Sequence, residues 1–130
     1  MLNKTSLQAV KALVELAKLP PGKCEGAVSI AKKIHAPHNY LGKLLQSLTS
    51  EGLVSSHKGM GGGFRLDKDP KKIALYDVVN PLEGVDRWAG CVLGRSKCSD
   101  SAPCHVHGRW KSVREAYMDF LQKTTIADLI

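Results

Sequence analysis

The residues richest in chemistry are three cysteines and two histidines gathered in one stretch. Cys91, Cys98 and Cys104 are spaced C-x6-C-x5-C, and His107 follows the last of them at C-x2-H, with His105 in between. The intervening Gly94, Ser96, Ser99, Asp100, Ser101 and Pro103 are residues of an exposed loop, not of a helix or strand. Thiolates on such a loop can converge on one metal centre. Zinc sites usually draw on paired knuckles of closely spaced cysteines, and gaps of six and five residues lack that pattern. Iron–sulfur clusters accept wider gaps, because their ligands reach different irons of an extended object, and a histidine can serve as a weaker, protonatable fourth ligand. His105 and His107 compete for that place. If the last helix starts near Cys104, His107 points the same way as Cys104 and His105 points aside. Two rival chemistries use the same residues: thiol oxidation at Cys91, Cys98 and Cys104, or zinc. The stretch has no C-x-x-C and no paired-carboxylate signature, only Asp86 and Asp100 nearby, so an enzyme is not expected. Cys24 stands alone in a turn and is expected to be a small, semi-buried residue.

The elements that must position this stretch are bounded by composition. A chain of 130 residues builds one domain with a modest core, and aromatics at 5% make that core aliphatic and the architecture helical. No apolar run approaches a membrane span, and Met1-Leu2-Asn3-Lys4-Thr5 lacks the apolar core of a signal peptide. The expected location is cytoplasmic, with no membrane partner, and there reducing conditions turn cysteines toward metal or redox chemistry. The net charge of +7 is lopsided: residues 1–72 carry twelve Lys/Arg against five Asp/Glu, and residues 73–130 carry seven of each. A surplus confined to one half is the footprint of a polyanion-binding module, and it argues against a cluster-binding redox protein that never touches DNA.

Taken in order, Thr5 is expected to cap a first helix with Leu7, Val10, Leu13, Val14 and Ala17 on one face, ended by Pro20-Pro21-Gly22. Ser29 is expected to cap a short helix through His35. After the Ala36-Pro37 turn, a longer helix runs from about His38 to Glu51, with Leu41, Leu44, Leu45 and Leu48 facing the core and Gly52 at its end. Helix, tight turn and amphipathic helix make a helix-turn-helix plan. On the opposite face His38, Asn39, Gly42, Lys43 and Gln46 line up, and all but the glycine can bond a base edge or phosphate. Residues 53–66 read as a β-hairpin with a glycine-rich tip, a wing whose Lys58 and Arg65 would meet the DNA backbone or minor groove. No Lys-Ser/Thr follows the glycines, which excludes a nucleotide P-loop. Leu75, Val78, Val79 and Leu82 mark a fourth helix stopped by Pro81 and Gly84. A final helix, from about Gly108 to Lys123, carries Trp110, Val113, Tyr117, Phe120 and Leu121 on one stripe, assigned to a two-fold dimer interface. Thr125 and Asp128 can cap a last turn. The expected class is therefore mainly α with a small β wing. Its division is a winged helix-turn-helix DNA-binding region over 1–82, a cysteine-rich loop over 83–107 and a dimerisation helix with its cap over 108–130.

On these residues the chain resembles the bacterial winged-helix iron–sulfur regulator family that includes IscR, NsrR and RirA. The likeness runs from Ser6-Leu-Gln-Ala to Thr125-Ile-Ala-Asp-Leu. It is carried most specifically by Tyr40-Leu-x-Lys-Leu-Leu, by the Gly52-Leu-Val…Gly-Gly-Phe-x-Leu wing, by Asp77-Val-Val with Leu82-Glu-Gly, and by the three cysteines. The resemblance implies a homodimer joined by the long C-terminal helix, reading a palindromic operator with helix and wing. It implies a [2Fe–2S] or [4Fe–4S] cluster on Cys91, Cys98 and Cys104, with His107 as fourth ligand in the IscR-like manner. In NsrR-like members that ligand is an aspartate in the partner's first helix, where this chain offers Gln8. IscR-like members have one residue fewer between the first two cysteines and a glutamate where this chain has Gly42. The implied function is a repressor-type transcription regulator whose operator affinity follows iron or cluster status, nitric oxide or oxidative stress. His38, Asn39, Lys43, Gln46, Lys58 and Arg65 are its DNA-facing candidates, and Tyr40 packs at the start of the recognition helix, within reach of a phosphate.

Overall fold

A computed structural model describes residues 2–89, 92–93, 101, 103 and 105–130. Among these, α1 (Lys4–Ala17), α2 (Ala27–Ile34) and α3 (His38–Ser50) come first, then a hairpin of β1 (Val54–His57) and β2 (Gly63–Leu66). A 3-10 turn at Pro70–Lys72 leads to α4 (Leu75–Glu83), a second follows at Val85–Ala89, and α5 (His107–Lys123) precedes a closing turn at Ile126–Leu129. The mainly helical winged-helix class expected from the sequence is the class observed.

One aliphatic core serves all of it. Leu13 of α1, Ile30 of α2, Leu41, Leu45 and Leu48 of α3, Ile73, Val78 and Val79 around α4, Leu121 of α5 and Ile126 are all fully buried. The leucine spacing of α3 builds its buried side as expected, and Gly52 follows the helix with φ +76°, the left-handed residue that lets the chain turn into β1. The hairpin is antiparallel, pairing Val54 with Leu66, Ser55 with Arg65, Ser56 with Phe64 and His57 with Gly63. A bridge between Glu25 and Phe64 adds the α1–α2 connection to the outer edge of β2.

Several expected caps and faces are corrected. Asn3, not Thr5, caps α1, its side chain accepting from the Ser6 N–H at 2.8 Å. Leu7 is 43% exposed, because the packed face of α1 centres on Ala9, Ala12, Leu13 and Leu16, and Leu7 lies well round the helix from Leu13. Gly26 precedes α2 at the cap position, and Ser29 bonds Glu25 instead of capping. Pro81 sits inside α4 and does not stop it; Gly84, with φ +66°, does. The Thr125–Asp128 cap forms as expected: the Thr125 N–H donates to Asp128 Oδ2 at 2.9 Å and the Asp128 N–H to Thr125 Oγ1 at 3.3 Å. The C-terminal segment closes back on the body, with the Leu75 N–H donating to the Thr124 carbonyl at 2.8 Å and the Ile126 N–H to the Ile73 carbonyl at 2.9 Å. Among the described residues, no helix is long and apolar enough to cross a membrane.

Candidate functional site

α3 presents two contrasting sides. Leu41, Leu44, Leu45 and Leu48 are buried against the core, while His38, Asn39, Lys43 and Gln46 are exposed along the opposite side. The four exposed residues thus share one outward face of a helix fixed from behind, which is the arrangement that groove reading requires. Gly42 lies on the same side. A Cβ there would come no nearer than 4.0 Å to Ala27 Cβ, so nothing in the chain's own packing demands a glycine.

Tyr40 is half-buried, and its hydroxyl donates to Thr5 Oγ1 at 2.6 Å. That bond to α1 anchors the start of α3, the packing role expected of Tyr40.

The wing offers Lys58 at the exposed start of its tip, where Gly59 and Gly61 take φ of +90° and +76°. Met60 stands between those glycines, fully exposed, a tip residue that sequence reading passed over although an apolar side chain flanked by glycines was its signal. Arg65, the other basic residue of the wing, belongs to β2. It lies in mid-strand, half-buried beside a concavity of about 210 Å³ that it lines with Pro20, Pro21, Lys23 and Lys68. Residues 20–23 and Lys68 therefore stand beside it on the flank of the wing.

Toward the cysteine stretch, α4 ends in a clasp. The Asp86 carboxylate accepts from the Tyr76 hydroxyl and, at 2.9 Å, from Asn80 Nδ2, while the Asp86 N–H donates to Asn80 Oδ1 at 3.0 Å. That hydrogen bond to Asp86, with burial and the Asp86 charge, raises the Tyr76 pKa above its ordinary range. The clasp fixes the Val85–Ala89 turn onto α4. Cys91, Cys98 and Cys104 lie outside the described residues. His107 is half-buried as the first residue of α5, and His105 is exposed in the turn just before it. The helix therefore starts after His105 and Val106, later than the condition set for His107 to align with Cys104. Gln8 is buried in its own chain, 8% exposed. Three thiols and an imidazole are a donor set suited to an iron–sulfur cluster, and the half-buried imidazole opening α5 is the member of that set the structure describes. Cys24 is a free, partly buried thiol, as expected.

On α5, Val113 and Phe120 are 57% and 52% exposed, and Trp110 and Tyr117 are half-buried. Leu121 is fully buried in the core of its own chain, which removes it from any face offered to a partner. Tyr117 and Met118 also pack against that core from its edge.

A family model described as Rrf2, iron-dependent transcriptional regulator, matches residues 2–130. A protein of Aquifex aeolicus (strain VF5) described as an HTH-type transcriptional regulator is 39% identical over 103 residues, covering 78% of this chain and 72% of its own. The HTH-type transcriptional regulator IscR of Escherichia coli is 30% identical over 130 residues, covering 99% of this chain and 79% of its own. Among solved structures, CymR, the global cysteine regulator of B. subtilis, superposes with a TM-score of 0.83 at 26% identity, covering 99% of this chain and 95% of its own.

Proposed function

The chain belongs to the Rrf2 family of transcriptional regulators, and from that premise we propose that it is a cytoplasmic, repressor-type regulator whose DNA affinity is set by an iron–sulfur cluster. Cys91, Cys98 and Cys104 would hold the cluster, with His107 as fourth ligand. The observation that carries the DNA half of this reading is α3, with its leucines buried and His38, Asn39, Lys43 and Gln46 all outward beside a wing that exposes Lys58. Asn39 and Gln46 have the donor–acceptor pairs that read adenine, and His38 and Lys43 can donate to guanine or to phosphate. Lys58 meets the backbone or the minor groove.

When bound, a cluster supplies a tie between its ligands that iron loss, oxidants or nitric oxide can break. The residues around it define what such a tie would act on. Tyr76 and Asn80 hold Asp86, and so the turn ahead of Cys91, onto α4. His107 opens α5, so whatever restrains its imidazole acts on the first turn of that helix. Val113 and Phe120 farther along α5 are the apolar residues we assign to contact with a second copy, Trp110 and Tyr117 flanking them. Two copies related by a two-fold axis would place two α3 helices on the halves of a palindromic operator. A change of state at residues 91–107 can alter DNA affinity only through a difference in how the two arrangements of α4 and α5 hold that set.

Protein purified without oxygen is expected to be coloured, with stoichiometric iron and sulfide, and Cys98→Ala to bleach it. Colourless protein carrying zinc, or no metal, sinks the cluster reading. The second reading, sensing by oxidation of Cys91, Cys98 and Cys104 or by zinc, is favoured on its oxidation arm by the likeness to Staphylococcus aureus CymR, whose structure is that of an oxidized form. Metal and sulfide analysis separates the two.

A further inference from the structure

Glu25 lies just ahead of α2 and is only 8% exposed, a costly place for a carboxylate that lacks partners. Its main chain belongs to the wing: its N–H donates to the Phe64 carbonyl at 2.9 Å, and its carbonyl accepts from the Phe64 N–H at 2.8 Å. The approach is close enough that a Cβ on Gly63 would sit 2.6 Å from the Glu25 carbonyl oxygen, and Gly63 has φ +131°, so the position requires glycine on both counts. Its side chain belongs to α2. Oε2 accepts from Ser29 Oγ and from Lys33 Nζ, each at 2.6 Å, successive positions on one face of the helix. α2 is joined to α3 through the shared core of Ile30, Ile34, Leu41 and Leu45. One residue thus grips the wing with its backbone and the helix-turn-helix with its carboxylate.

We infer that Glu25 is a positioning residue for DNA binding: it holds β2 at a fixed angle to α2 and α3, so that Lys58 and the polar face of α3 engage one duplex together. The inference rests on the reading of α3 and the wing as the DNA-facing elements. Buried as it is, Glu25 acts through the wing and not by touching the nucleic acid.

The test is a double-mutant cycle on the full chain, read by fluorescence anisotropy with a mixed-sequence DNA duplex at low salt. Lys58→Ala is expected to weaken binding about fivefold in the wild-type background. In the Glu25→Ala background the same change should cost less than about twofold, because the wing is no longer aimed. A merely stabilising role for Glu25 would leave the cost of Lys58→Ala unchanged in the folded variant. Should Glu25→Ala not fold by circular dichroism, Ser29→Ala with Lys33→Met removes the same two hydrogen bonds from the α2 side, and the same shrinkage of the Lys58 effect is expected. Equal costs of Lys58→Ala in both backgrounds overturn the positioning role and leave the DNA-binding reading standing. Wild-type protein that leaves the duplex unbound overturns both.

Discussion

Gly63 and Glu25 show how one contact constrains two residue types at once. Gly63→Ala must combine a positive φ with a Cβ driven at the Glu25 carbonyl, so a loss of about 2–4 kcal/mol is expected in urea unfolding; an unchanged midpoint contradicts the close approach. Burial pushes the Glu25 carboxyl up, but the Lys33 hydrogen bond, the Ser29 hydrogen bond and the Lys33 charge outweigh it and hold it below the ordinary carboxylate range. A lowered folded-state pKa contributes stability that is present above the unfolded value and is lost as pH falls through the folded one. Thermal melting should therefore show the Glu25 contribution intact at neutral pH and fading in the acid range, while Glu25→Gln flattens that part of the profile. Little of this was legible in the sequence. The spacing of Glu25, Ser29 and Lys33 was open to reading, but the Phe64 bridge that buries the acid pairs residues far apart in the chain. Tyr40 is the packing residue its sequence implies, whereas its partner Thr5 looks like a cap in the sequence, because a hydroxyl near a helix start suits either role.

Helices with a strong one-sided pattern were read well, and α3 is the clearest. Leu45 is fully buried there and Gln46, its neighbour, exposed. Leu45→Ala is expected to cost about 2–5 kcal/mol of stability, whereas Gln46→Ala should stay within about 0.5 kcal/mol and show its effect in DNA base preference. Comparable destabilisation by both would mean that the outward face is packed. α5 was harder, because a stripe of large residues does not say whose core it fills. Leu121 turned inward to its own chain and Val113 and Phe120 did not. Replacing Val113 and Phe120 together by glutamate should therefore shift the sedimentation coefficient toward one copy while sparing the melting temperature, and Leu121→Ala should lower the melting temperature first. Pro81 misled as a stop signal, since α4 accommodates it near its end and Gly84 supplies the turn.

At the scale of the whole molecule, the basic surplus of residues 1–72 coincides with the half that folds into α1, α2, α3 and the wing. DNA affinity should fall linearly in log–log terms with salt, and Lys43→Gln should flatten that slope by close to one phosphate's worth, about 0.9; a salt-insensitive affinity would contradict a backbone contribution. The confinement of the basic surplus to residues 1–72 was legible in the sequence, but the way the C-terminal segment folds back onto Ile73 and Leu75 was not. That return has a mechanical consequence. The hydrogen bonds joining Thr124 to Leu75 at the start of α4, and Ile126 to Ile73 just ahead of it, pin the far end of α5, and its near end is His107. With 17 residues, α5 is a rod of roughly 25 Å. Were α5 to pivot about Thr124, a tilt of only about 10° would sweep His107 through about 4 Å, so on the proposed reading a small change at the His107 end needs little movement at the pinned tail.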